Sequence, residues 1–116
     1  MRNITIPVLL PLLLLASSAA QAHAFLDYAN PRVGSTVASS PGQVTLHYTQ
    51  KLEPKFSSAS VRNAAGARVD QGSSVSGSVM RVGVKALPPG TYRVQWRVLS
   101  VDTHTTQGSF SFHVGR

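Results

Sequence analysis

Beyond residue 22, apolar and polar positions alternate with a period of two rather than the 3.6 of a helix, the pattern of strands with one buried face. Val44, Leu46 and Tyr48 fall on one side, and Thr45, His47 and Thr49 on the other. Tyr92, Val94, Trp96 and Val98 form a second inward set, with Arg93, Gln95 and Arg97 facing out. Phe110, Phe112 and Val114 form a third, flanked by Ser109, Ser111 and His113. Weaker strands are expected at 24–28, 58–63, 67–70 and 79–84.

Turn formers separate these runs: Asn30-Pro31, Pro41-Gly42, Ala65-Gly66 and Pro88-Pro89-Gly90. The Gly/Ser-rich stretch 71–78 reads as a mobile loop. About seven short strands with regular turns predict an all-β domain, a Greek-key sandwich or barrel of immunoglobulin-like size. Tyr48, Tyr92, Trp96, Phe110, Phe112 and Met80 are its expected core. His47 and His113 lie on outward faces and read as solvent-exposed structural residues. Arg93 and Arg97 form a basic outer face, read first as solvated and only second as a partner surface.

Residues 1–22 break the alternation. Arg2 is followed by an apolar run over 4–16 and by small residues ending in Ala20-Gln21-Ala22, the order of a secretory signal with an A-x-A cleavage site. The apolar run is shorter than the ~20 residues a membrane span needs, and Pro7 and Pro11 interrupt it. Cleavage after Ala22 is therefore expected, leaving one domain over 23–116, exported to the periplasm, that begins at His23 and has no membrane insertion. Removing Arg2 takes one charge from the +7 of the full chain.

The chain contains no Cys, which excludes disulfides, thiolate zinc sites and iron–sulfur clusters. Apart from Met1 the sole methionine is Met80, which argues against a soft thioether site for Cu(I). Lys and Arg are scattered with no run of three, a poor match to the clustered patch that nucleic-acid binding requires.

Chemistry is concentrated in few residues: His23, His47, His104 and His113, with Asp27, Glu53, Asp70 and Asp102. After cleavage His23 would offer an α-amine and an imidazole from one residue. The amine's reference pKa of about 7.7–8.0 lets a metal displace its proton near neutrality. Asp102 and His104 lie just after the strong strand pattern at 92–99 and before Gly108, at a strand end or loop, and residues two apart in extended chain can converge on one point. Three nitrogens and one oxygen suit a tetragonal Cu(II) centre. A D-x-H triplet or an N-terminal His alone occurs often by chance; the combination is what points to metal.

These residues also resemble a family, the periplasmic copper-resistance CopC proteins, over nearly all of 23–116. The resemblance rests on His23-Ala24-Phe25-Leu26, Asn30-Pro31 through Gly34-Ser35, Val44-Thr45-Leu46-His47-Tyr48, 90–97, and Ser100-Val101-Asp102-Thr103-His104 through Gly108-Ser109-Phe110. It implies a Greek-key fold that binds one Cu(II) per chain through His23, Asp102 and His104. It further implies a monomer that passes copper to a membrane partner of the CopD type. Some family members carry Glu where this chain has Gln50, and some carry a Met-rich loop where 63–79 has no Met. The first departure loses a supporting carboxylate; the second argues against a Cu(I) site and a two-site transfer, and fits a member that handles Cu(II) alone.

Two other functions compete. An N-terminal His paired with a second His is also the copper arrangement of polysaccharide monooxygenases, but 94 residues (116 less the 22 removed) leave little room for their substrate face. A metal-free accessory sandwich is the remaining alternative, and it leaves the His23, Asp102 and His104 combination unexplained.

Overall fold

The computed structural model describes residues 24–115. Eight strands build two sheets: β1 (Leu26–Asn30), β2 (Thr36–Val37), β3 (Gln43–Tyr48), β4 (Ser58–Arg62), β5 (Asp70–Ser76), β6 (Val79–Val84), β7 (Gly90–Leu99) and β8 (Thr105–Val114). The sheets run β1-β3-β6-β5 and β2-β8-β7-β4. Most neighbours in a sheet are not neighbours in sequence, so the chain crosses between layers as a Greek-key sandwich does.

The alternation fixes which face is buried, because a one-residue slip would reverse every side chain. Val44, Leu46 and Tyr48 of β3, Met80 and Val82 of β6, Val94 and Val98 of β7, and Phe112 of β8 all point between the sheets. Burying Phe112 alone stabilises the fold by roughly 1.5–3 kcal/mol. Trp96 is only partly buried. Its ring lies against Gly108, where an added Cβ would meet Trp96 Cζ2 at 2.6 Å, and its edge faces Tyr48 at a centroid distance of 5.3 Å. The Tyr48 hydroxyl is buried with no hydrogen-bond partner among the described residues, and burial pushes its phenol pKa well above the ordinary value.

Several expectations need correction. The strand count is eight: the expected strand at 67–70 is lost, and two unexpected ones, β2 and β5, are gained. The two-residue β2 pairs in parallel with His113 and Val114 of β8 and is too short to show a period. The stretch 71–78 is not a loop: most of it is β5, paired antiparallel with β6. Its glycine serves a bulge, since Gly72 has φ +102° where the register shifts between Asp70 and Ser73. The strand expected at 67–70 reduces to an isolated bridge between Arg62 and Arg68, and Asp70 opens β5. His47 and His113 are half-buried rather than exposed. His47 stacks on Tyr28 at 4.1 Å, and His113 Nδ1 hydrogen-bonds with Thr91 Oγ1 at 2.9 Å.

The free edges of the two sheets are joined where β4 meets β5. Asp70 closes that seam: its carboxylate accepts the Val61 N–H at 2.8 Å and the Gly72 N–H at 3.2 Å. It also accepts both arms of the Arg68 guanidinium at 3.1 and 3.0 Å. Opposite burial's upward push, these bonds hold the Asp70 carboxyl below the ordinary carboxylate range.

Candidate metal centre

The longest strand pair ends in the candidate site. β7 and β8 are in register over ten residue pairs, from Gly90 with Val114 to Leu99 with Thr105. The connecting residues 100–104 form a tight turn rather than the extended stretch the two-residue spacing suggests. The Ser100 N–H donates to His104 O at 2.9 Å, and the Thr103 N–H donates to Ser100 O at 2.8 Å. Thr103 takes φ +72°, an uncommon conformation for a β-branched residue. Such strain persists only where surrounding contacts over-determine it, and it concentrates at functional sites.

Within this turn Asp102 and His104 come together, with His104 Nδ1 3.4 Å from Asp102 Oδ1. Their side chains are 41% and 48% exposed, so a ligand can reach both. Ser100, fully buried, holds the arrangement from beneath. Its hydroxyl donates to Asp102 Oδ1 and accepts the His104 N–H at 3.3 Å. That hydroxyl, with His104 beside the carboxylate, keeps the Asp102 carboxyl below its ordinary pKa and therefore anionic at neutral pH. Ser100 was quoted in the family resemblance for its identity; its role as a support could not be read from spacing.

Two other segments meet the turn. The Val101 N–H donates to Lys51 O at 3.0 Å, and Leu52 bridges to Ser100, so the 50–52 loop that carries half-buried Gln50 runs alongside. The start of the described chain arrives there too. Thr106 Oγ1, two residues past His104, donates to Ala24 O at 2.8 Å. The Phe25 N–H donates to Thr49 Oγ1 at 2.9 Å. His23 and the signal segment lie outside the described residues.

Chemically, the turn offers one carboxylate and one imidazole. Among the described residues no group of three or more His, Cys, Asp or Glu side chains is gathered in a way that could hold a metal. Asp102 and His104 thus present two adjacent donor groups that a ligand can reach.

The fold and the tip define a class: small β-sandwich domains with a solvent-facing Asp–His pair at one end, beside the first described residues. Residues 26–115 match the CopC domain family, and the chain belongs to that family. It is 35% identical to the copper resistance protein C of Xanthomonas campestris pv. juglandis, over 97% of this chain and 96% of that one. The crystal structure of CopC from Methylosinus trichosporium OB3b superimposes with a TM-score of 0.76 at 33% identity, covering 80% of this chain and 94% of its own. PcoC, described as a methionine-rich copper resistance protein from Escherichia coli, superimposes with a TM-score of 0.70 at 31% identity, covering 79% and 98%. Among the described residues no helix is long and apolar enough to cross a membrane.

Proposed function

We propose that this chain is a copper-handling protein of the periplasm that binds one Cu(II) as cargo, through the α-amine and imidazole of His23, the imidazole of His104 and a carboxylate oxygen of Asp102. The observation that carries the reading is the bond from Thr106 to Ala24 O. It tethers the residue next to His23 two positions from His104, where two donors are already paired and two are wanting. Three nitrogens and one oxygen match the tetragonal preference of Cu(II). The soft alternative has little support here, since Met80 is fully buried in the core, in contrast to a methionine-rich relative.

On this reading residues 1–22 are removed on export, because only cleavage after Ala22 frees the amine. The protein acts as a monomeric carrier that sequesters Cu(II) or delivers it to a membrane partner of the CopD type. An oxidative enzyme is disfavoured: with Asp102 as a donor beside His23 and His104, the site would leave little room for the open position that oxygen chemistry needs.

The test is Cu(II) titration of the protein beginning at His23, followed by electron paramagnetic resonance, against a control with one extra residue before His23. One tight site with a nitrogen-rich tetragonal signal, lost in the control, is expected. Equal, weak binding in both would remove the N-terminal chelate and leave a metal-free sandwich as the better account. Because the amine and imidazoles must shed protons to bind, affinity should also fall on acidification, and a flat profile would sink this ligand set.

A further inference from the structure

The outer face of the β2-β8-β7-β4 sheet carries an unusual charge arrangement. Arg93 and Arg97 of β7 point outward with Gln95 between them, and Arg62 of β4 is the direct register partner of Arg93. Like charges directly opposite on neighbouring strands destabilise a sheet. Among the described residues the ion pairs are Arg68 with Asp70 and His104 with Asp102, so Arg62, Arg93 and Arg97 have no carboxylate partner. Arg62 donates instead to Gly66 O at 2.9 Å, and Arg93 to Ser109 Oγ at 2.9 Å. These bonds hold the guanidinium groups against the face without neutralising them.

Beside this row lies an open, shallow groove of about 790 Å³, lined among others by Ser60, Gln95, Gln107 and Ser109; of the row only Arg97 borders it, and Arg68 on its other side is held by Asp70. We propose that this face, the arginine row together with the groove beside it, is the docking site for an acidic polypeptide segment bound in extended form. Three features favour that occupant over an anionic membrane. The face is not smooth but dips into a shallow groove beside the arginine row, which an extended strand can follow. Its cations are arginines, whose planar forks match carboxylates two bonds at a time, rather than long lysines reaching outward. Between them, serine and glutamine side chains can donate to and accept from a backbone. Arg93 and Arg97 are four residues apart on one face of a strand, about 13 Å. Carboxylates four residues apart on an extended peptide have the same spacing. The Arg97–Gln107 pair lies two register pairs from Leu99–Thr105, where β7 and β8 enter the Asp102–His104 turn, so a segment seated there approaches the hairpin tip. The proposal does not depend on what metal that tip binds.

The test is a titration of the exported protein with a capped hexaglutamate peptide, followed by nitrogen–proton correlation NMR at low and at physiological salt, and repeated with the Arg93→Gln/Arg97→Gln double variant. Shift changes confined to β4, β7 and β8, weakened by salt and at least tenfold weaker in the variant, are expected. Both positions are exposed, and a retained dispersed spectrum with unchanged copper titration would show that the fold and the tip are intact. No peptide binding, shifts on the other sheet, or equal binding by the variant would overturn the proposal. So would binding to phosphatidylglycerol-containing vesicles with none to the peptide, which would assign the basic face to a membrane surface.

Discussion

Asp70 and Asp102 invite direct comparison, because each has a basic side chain two residues away and each carboxyl is held below its ordinary pKa. Asp70 sits at the β4–β5 seam with its side chain 1% exposed, its oxygens taken up by Arg68 and by the N–H groups of Val61 and Gly72. Asp102 sits at the hairpin tip, 41% exposed, held by one buried hydroxyl and flanked by an imidazole that can itself be a ligand. The first carboxylate has no bonding capacity left for a newcomer. The second is oriented yet accessible. Burial and the nature of the partner, more than the residue type or its spacing, separate a structural aspartate from one available to a ligand.

The comparison can be broken by exchanging the effects. Asp70→Asn should lower unfolding stability by about 2–3 kcal/mol, because it strips a charged acceptor from the N–H groups of buried Val61 and exposed Gly72 and from a guanidinium. Denaturant unfolding measures this, and copper binding should be unchanged. Its pH signature has a definite sign. The folded-state pKa of Asp70 lies below the unfolded value of about 3.9, so its contribution is fully present above that value and is lost as pH falls through the folded one. The asparagine variant should therefore lose less stability on acidification than the parent, and parallel curves would show that Asp70 is not the group responsible.

Asp102→Asn should do the reverse, weakening Cu(II) about 10- to 100-fold (about 1.4–2.7 kcal/mol) in a competition titration with little change in thermal midpoint. A large loss of stability without loss of copper would place Asp102 with Asp70. The smallest effect is expected at the support. Ser100→Ala keeps both ligands but removes the hydroxyl that orients one of them, and outer-sphere partners of this kind are worth about tenfold in metal affinity. A change in the anisotropy of the copper resonance signal would separate misplacement of Asp102 from a general loosening of the turn.

Much of this was legible in the residue order. Period two in 43–48, 92–98 and 110–114 needs only local geometry, since successive side chains on a strand face opposite ways, and it named the buried positions that β3, β7 and β8 show. It failed where pairing rather than patterning makes the strand. β5 is rich in Gly and Ser and has no apolar period of its own, yet β6 supplies its hydrogen-bond ladder and the Asp70 seam ties its start. β2 is a strand because β8 lies beside it. His47 and His113 were read as exposed because alternation tells which side a residue faces and not what neighbouring side chains cover it.

The candidate site divides in the same way. Residue types and the D-x-H spacing sufficed to single out Asp102 and His104, because ligand chemistry belongs to the side chains themselves. The chain alone also carried the signal-like segment and the family resemblance. Tertiary structure decided that the pair sits on a strained turn and not on a strand, that buried Ser100 orients the carboxylate, and that Ala24 is bonded beside His104. It also set Arg62 opposite Arg93. Each of these joins positions through a turn or a register between strands, and such contacts depend on how the whole chain closes its hydrogen bonds around one core, which no local stretch of residues encodes.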